Sequence, residues 1–231
     1  MKLRIRCVPV AGLVLAGLLA GCGSTNRLSE VDFTDRTVAA RAAVPPPSIL
    51  MVGSDVIVAD RDNPIRTAAT VGAVLARERA LRRAADRLDS AAAQIDVPGR
   101  LARETLLRSA RVLGFRPTAD LHGADFVLDL RLERYGLQAA TWEGAVRFIL
   151  EGEMVLMDNR SRRVIWRKPI REVEPVTPAL IGFGPLAGNV FTAAALAGLS
   201  TAEMVRALER LTDHAAHRLA AALRDDYERA D

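Results

Sequence analysis

The sequence predicts an α+β fold, an α/β sandwich in which a mainly antiparallel sheet of about four to five strands packs against two to three helices. Three observations predict it. Stretches around residues 125–137, 145–158 and 163–174 alternate apolar and polar side chains, the period of a half-buried strand. Stretches around 66–95, 98–113 and 200–227 repeat apolar residues at three and four, the period of a helix with one buried stripe. Glycine, proline, asparagine and aspartate punctuate the joins.

At the N-terminus, Lys2, Arg4 and Arg6 precede an almost wholly apolar run from Val8 to Ala20, with small residues before Cys22. Charged, apolar, small is the order of a secretory signal. The tetrad Leu19-Ala20-Gly21-Cys22 resembles the lipobox of bacterial lipoproteins. That resemblance implies a signal peptide over 1–21, cleavage before Cys22, a diacylglyceryl group on its sulfur and an acylated new N-terminus. The competing reading, a buried helix with a chance cysteine, fits poorly with so short an apolar run at a chain start. Gly23-Ser24 carries no aspartate. By resemblance to lipoproteins of diderm bacteria, this implies the outer membrane, lipid-anchored and facing the periplasm. Cys7 leaves with the signal and Cys22 becomes a thioether, so no thiol remains for a disulfide, a metal or a nucleophile.

Residues 22–47 read as a flexible tether: polar, then rich in alanine, ending in Pro45-Pro46-Pro47. A single α/β periplasmic domain is expected over 48–231. It opens on a β-rich stretch from Ser48 to Ala59, either one bulged strand or a strand pair around Gly53-Ser54. A helix from Arg66 to Ile95 follows, with Val71, Val74, Leu81, Ala85, Leu88, Ala92 and Ile95 in its stripe. The spacing of Leu81, Leu88 and Ile95 also fits a coiled-coil partner, but too few heptads support it. Pro98-Gly99 separates a second helix that ends at Leu113, with Leu101, Leu106, Val112 and Leu113 inward. Gly114 supplies a left-handed cap, Phe115 folds back, and Pro117 prevents continuation.

Three strands form a meander with one wet face. Phe126, Leu128, Leu130 and Leu132 oppose Asp129, Arg131 and Glu133; Val146, Phe148, Leu150, Met154 and Leu156 oppose Arg147, Glu151 and Glu153; Val164, Trp166 and Ile170 continue the apolar face. Trp166 is expected in the core. Asp158 to Ser161 is turn chemistry. Ser200 and Glu203 have capping-box spacing before a last helix to about Tyr227, striped by Met204, Leu208, Leu211, Ala215, Leu219 and Leu223. The strands "ADFVLDLRLERYGL" and "VLMDNRSRRVIWRKPI" with that helix resemble the small α/β domain of bacterial envelope lipoproteins, of the curli secretion, TolB N-terminal and ABC-transport auxiliary types. The resemblance covers about Ala124 to Tyr227.

Charge excludes one class of partner. The chain has 32 basic and 28 acidic residues; three basic ones lie in the leader, leaving 29. A near-neutral, exported chain has no electrostatic footprint for nucleic acid. No cofactor, metal or catalytic residue is expected. His214 and His217 share a helix face at a spacing that begins many metal sites, yet they lack further ligands, and two polar residues flanking a stripe explain them. His122 stands in a turn without a partner. There is no G-x-S-x-G elbow. Glu151 and Glu153 read as a solvated sheet face. Gly182-x-Gly184-x-x-Ala187 matches a dinucleotide fingerprint only formally, because no βαβ unit surrounds it.

The charge-free stretch from Pro175 to Ala202 stands out. Three readings are open: a buried loop and helix covering the sheet, a subunit or partner interface, or a membrane-inserting element over 177–199. The last two give the candidate contact residues Leu180, Ile181, Phe183, Leu186, Val190, Phe191, Leu196 and Leu199. The function expected is that of a non-catalytic, lipid-anchored envelope accessory protein. It would act in assembly or transport through contacts with another envelope protein, a second copy of itself or a lipid. The alternative is an oligomeric pore- or ring-forming secretion lipoprotein.

Overall fold

The computed structural model describes residues 25–51, 64–182 and 191–230. The described residues form one open, mixed sheet of seven strands: β1 (Thr25–Asn26), β2 (Thr37–Ala43), β3 (Ser48–Met51), β4 (Arg116–Thr118), β5 (Phe126–Ala139), β6 (Val146–Asp158) and β7 (Val164–Pro175). The order across the sheet is β1-β7-β6-β5-β2-β4, with β3 paired to β5 farther along that strand. The helices are α1 (Pro64–Ala92), α2 (Val97–Leu113), the short α3 (Ala193–Gly198) and α4 (Thr201–Glu228).

The α+β class holds, while strand number and strand direction are corrected. Beside the antiparallel β5-β6-β7 meander, β2 and β3 run parallel to β5, and β4 runs parallel to β2. The tether expected over 22–47 is corrected more strongly. Its described part forms β1, a 3-10 turn at Leu28–Glu30 and β2. Leu28, Phe33, Val38 and Ala39 are buried, and the Phe33 ring centroid lies 5.4 Å from that of Phe126. Alanine hides the strand from a sequence reading, since "TVAARAA" alternates without contrast in size or polarity.

The meander follows from its alternation, with two adjustments: a bulge in β5, and a shift in β7 that adds buried Ile165 beside Trp166 and leaves Val164, expected inward, half-buried. In β5 the inward set is Phe126, Leu128, Leu130 and Leu132, then Tyr135, Leu137 and Ala139. A bulge between Leu132 and Arg134 inserts Glu133, which moves the inward phase by one residue. Without it, Arg134 would point at the helices. Gly152 pairs with Leu132 at this crowded point, and a Cβ there would stand 2.2 Å from the Arg131 carbonyl oxygen. On β7, Arg27 N–H donates to the Ile165 carbonyl at 2.9 Å, which turns the odd-numbered residues toward the sheet edge. Pro169 and Pro175 belong to that set and offer no N–H to a passing strand.

Helices α2 and α4 lie side by side on the inward face, and α1 packs against α4 and α3. The α4 stripe is buried as expected, from Met204 to Leu223, and its Ser200–Glu203 capping box is complete. Asp96 caps α2, and Gly114 closes it at φ 76°, followed by buried Phe115. Val112 is corrected from inward to exposed, because α2 meets its neighbours through the smaller Ala102, Thr105 and Ser109. Among the α1 side chains that are described, from 75 on, the buried ones are Ala84, Leu88 and Ala91, so the stripe is rotated from the expected one; Leu81, Ala85 and Ala92 flank it half-buried, and the side chains of Val71 and Val74 lie outside the described ones. Arg100 ties α2 to α4 with a two-pronged pair to Asp213 at 2.9 Å and a contact to Glu209 at 3.3 Å. Tyr135 is fully buried and donates to Thr212 Oγ1 at 2.9 Å, since Thr212 donates onward to the Leu208 carbonyl. Burial pushes the Tyr135 phenol up to about 12.

Candidate functional site

The described parts of the charge-free segment, up to residue 182 and from 191 on, pack into the domain. Thr192 caps α3 by accepting from Ala195 N–H, and Phe191 O accepts from Val146 N–H at 2.8 Å. Ala145 and Thr192 form an isolated bridge, so the segment returns to the start of β6. Ile181, Phe191, Leu196 and Leu199 are buried in the core cluster, and Leu180 packs half-buried against it. As placed, these side chains complete the monomer, as in the covering reading. Cys22, Phe183, Leu186 and Val190 lie outside the described residues, as do Gly53, Gly184 and Ala187. No helix among the described residues is long and apolar enough to cross a membrane.

A cleft of about 660 Å³ lies between α2 and β2. Ala40, Ala42, Ala102, Leu106, Leu107 and Pro117 give it an apolar lining, with Arg41 and Arg103 beside them. Strand pairing explains why it is open. β4 covers β2 only over Thr37–Ala39, and the described residues supply no second strand neighbour to Ala40–Ala43. A short length of strand edge therefore borders an apolar wall, on which Leu107 is 39% exposed. An extended chain fits such a place by adding a strand and seating alternate side chains against the helix.

Arg41 connects the cleft to the outer face of the sheet. Its guanidinium donates to both oxygens of Asp129, at 3.0 and 2.9 Å, and Arg131 donates to the same carboxylate at 2.9 and 2.6 Å. Asp129, expected on a wet face, is 3% exposed because these two side chains cover it. Burial, the largest single influence, raises the pKa of its carboxyl. The hydrogen bonds and charges of Arg41 and Arg131 outweigh burial and hold it below the usual carboxylate range. The lattice continues with Glu153 near Arg131 and Arg167, and Glu151 paired with Arg134 and near Arg171. Glu151 and Glu153 are thus members of an ion-pair network on that face.

A second, polar recess of about 680 Å³ lies at one end of the sheet, lined by Arg36, His122, Asp125, Asp158, Asn159 and Arg160 among others. Its acids are committed to structural bonds, Asp125 to the distant start of β2 and Asp158 to its own turn. Asp125 accepts from the Thr37 amide and hydroxyl at 2.8 Å, and Asp158 from the Ser161 amide and hydroxyl. Asn159 Nδ2 donates to the carbonyls of Leu121, His122 and Ala124, which pins the loop that carries His122. His214 and His217 are not brought to a common site. His214 Nε2 meets Glu174 at 2.8 Å under the sheet, and His217 is exposed. No group of three or more metal-ligating side chains occurs among the described residues.

Asp226, on the last turn of α4, is the other junction that sequence reasoning missed. It is 6% exposed and accepts from Trp166 Nε1 at 3.0 Å, from Lys168 at 2.9 Å and from Arg229 at 2.9 Å. Its carbonyl accepts from Asn26 Nδ2 at 2.8 Å. Trp166 is fully buried, as expected. Both junctions escaped notice because their members are far apart in sequence, 88 residues for Arg41 and Asp129 and 200 for Asn26 and Asp226. Asp129 carried one usable signal: it is an acid in the middle of an otherwise apolar strand start.

Compared with family models, curated proteins and solved structures, the chain matches none.

Proposed function

We propose that the chain is a lipid-anchored accessory protein of the outer membrane, facing the periplasm, that works by holding a partner protein and performs no catalysis. The leader and the Leu19-Ala20-Gly21-Cys22 tetrad support the anchor. The open edge of β2 beside the apolar face of α2 carries the partner reading, because unpaired strand edge next to an apolar wall is a standing template for an extended segment. The burial of Ile181, Phe191, Leu196 and Leu199 favours this role over a pore or ring, in which 177–199 would first have to leave the core.

The experiment uses a photo-reactive amino acid at Arg103 in the acylated protein, in intact cells, with one at Arg160 as control. A discrete protein adduct at 103, absent at 160 and lost on adding Leu107→Asp, is the expected result. An adduct that is only lipid would replace the protein partner with a lipid ligand. Equal, diffuse labelling at both positions would remove the groove from consideration.

A further inference from the structure

We propose that the β1–β7 edge and the last turns of α4 form a surface that lies on phospholipid headgroups, and that the α2–β2 groove consequently points away from the membrane. The inference rests on the reading of Cys22 as the acylated residue.

Two residues, Gly23 and Ser24, separate Cys22 from Thr25, and the three residue steps between them span at most about 10 Å when extended. Thr25 is not free to swing. It pairs with Arg167 in β7, Asn26 donates to the Asp226 carbonyl, Arg27 N–H donates to Ile165 O, and Leu28 is fully buried. The acyl chains are thus joined by a short connection to a fixed corner of the fold, and the bilayer holding them comes within about 10 Å of it.

The corner carries suitable chemistry. Arg167 and Arg171 on β7, Arg229 just past α4 and Arg27 are exposed, Arg171 at 81% and Arg229 at 67%, although Arg167 lies near Glu153, Arg171 near Glu151 and Arg229 against Asp226. The nearby carboxylates are already engaged. Asp226 binds Lys168, Glu172 and Glu174 bind Arg218, and Asp225 binds Arg224. The guanidinium groups stay open to solvent beyond those contacts, from 49% exposed at Arg167 to 81% at Arg171, and they match phosphate oxygens in both charge and donor geometry. The sheet order places β4 and the groove at the opposite edge, five strand spacings or roughly 24 Å away.

Acylation leaves the mature chain without a free thiol, so a single introduced cysteine can be labelled alone. Acylated protein carrying Arg171→Cys, Glu228→Cys or Leu107→Cys, each with a fluorophore, is placed in vesicles of phosphatidylethanolamine and phosphatidylglycerol that contain a headgroup-spin-labelled lipid. Loss of fluorescence at 171 and 228 with none at 107 is expected. Equal loss at all three positions, or loss at 107 alone, overturns the proposal. Mass analysis of the same protein reads the anchor separately. A chain without acyl mass that stays off the vesicles refutes the anchor itself, an outcome distinct from an acylated chain that lies the other way.

Discussion

Asp129 shows how one carboxylate is kept charged out of water. Four hydrogen bonds from Arg41 and Arg131 replace its hydration, and the folded-state pKa falls below the unfolded one. A depressed carboxylate pKa contributes stability that is present above the unfolded value and is lost as pH falls through the folded one. Asp129→Asn should therefore lower stability by about 1–3 kcal/mol at neutral pH. In urea denaturation, the gap to wild type should close as pH drops below about 4. A gap that stays constant with pH would mean that packing, not charge, is what the substitution disturbs. Trp166 unites both kinds of contribution, since its ring is buried and its N–H satisfies Asp226. Trp166→Ala should cost about 3–5 kcal/mol by the same assay. Trp166→Phe should cost less, because Lys168 and Arg229 still hold the carboxylate.

Among the elements, those with strong side-chain contrast were legible and those built from alanine or from few residues were not. β5, β6, β7 and α4 alternate large apolar with charged residues, and their faces fell where periodicity put them except at the irregularities around Glu133 and Ile165. β2 has no such contrast. β4 is three residues long and contains Pro117. The groove they border arises from parallel pairing between distant segments, which no local pattern encodes. The consequence for the N-terminal elements is testable. A chain beginning at Ser48 lacks Leu28, Phe33 and Val38, each contributing on the order of 1.5–3 kcal/mol of burial. Circular dichroism and denaturation of that chain should show loss of the cooperative transition seen in the chain beginning at Cys22. The charge-free segment gives a second element-scale test. Leu196 is 3% exposed, so Leu196→Asp should cost several kcal/mol and lower the melting temperature of the monomer. A stable, folded Leu196→Asp monomer that fails only to assemble would return the segment to the interface reading.

For the whole molecule, the first and last described elements close on each other. Asn26 and Trp166 both bond to Asp226, and β2 finds its place only against β5, far along the chain. Contacts this distant in sequence favour slow folding, because each must offset the entropy of a long loop. Folding therefore waits for the C-terminus. If the chain is exported in N-to-C order, as proposed above, the Asn26–Asp226 contact cannot form until residue 226 has appeared, and the region around Cys22 would stay open to processing enzymes during export. On that reading, completion of α4 would act as a timer that ends that window. A chain stopped after Leu223 should stay cleavable by protease near Thr25 when the full-length protein has become resistant.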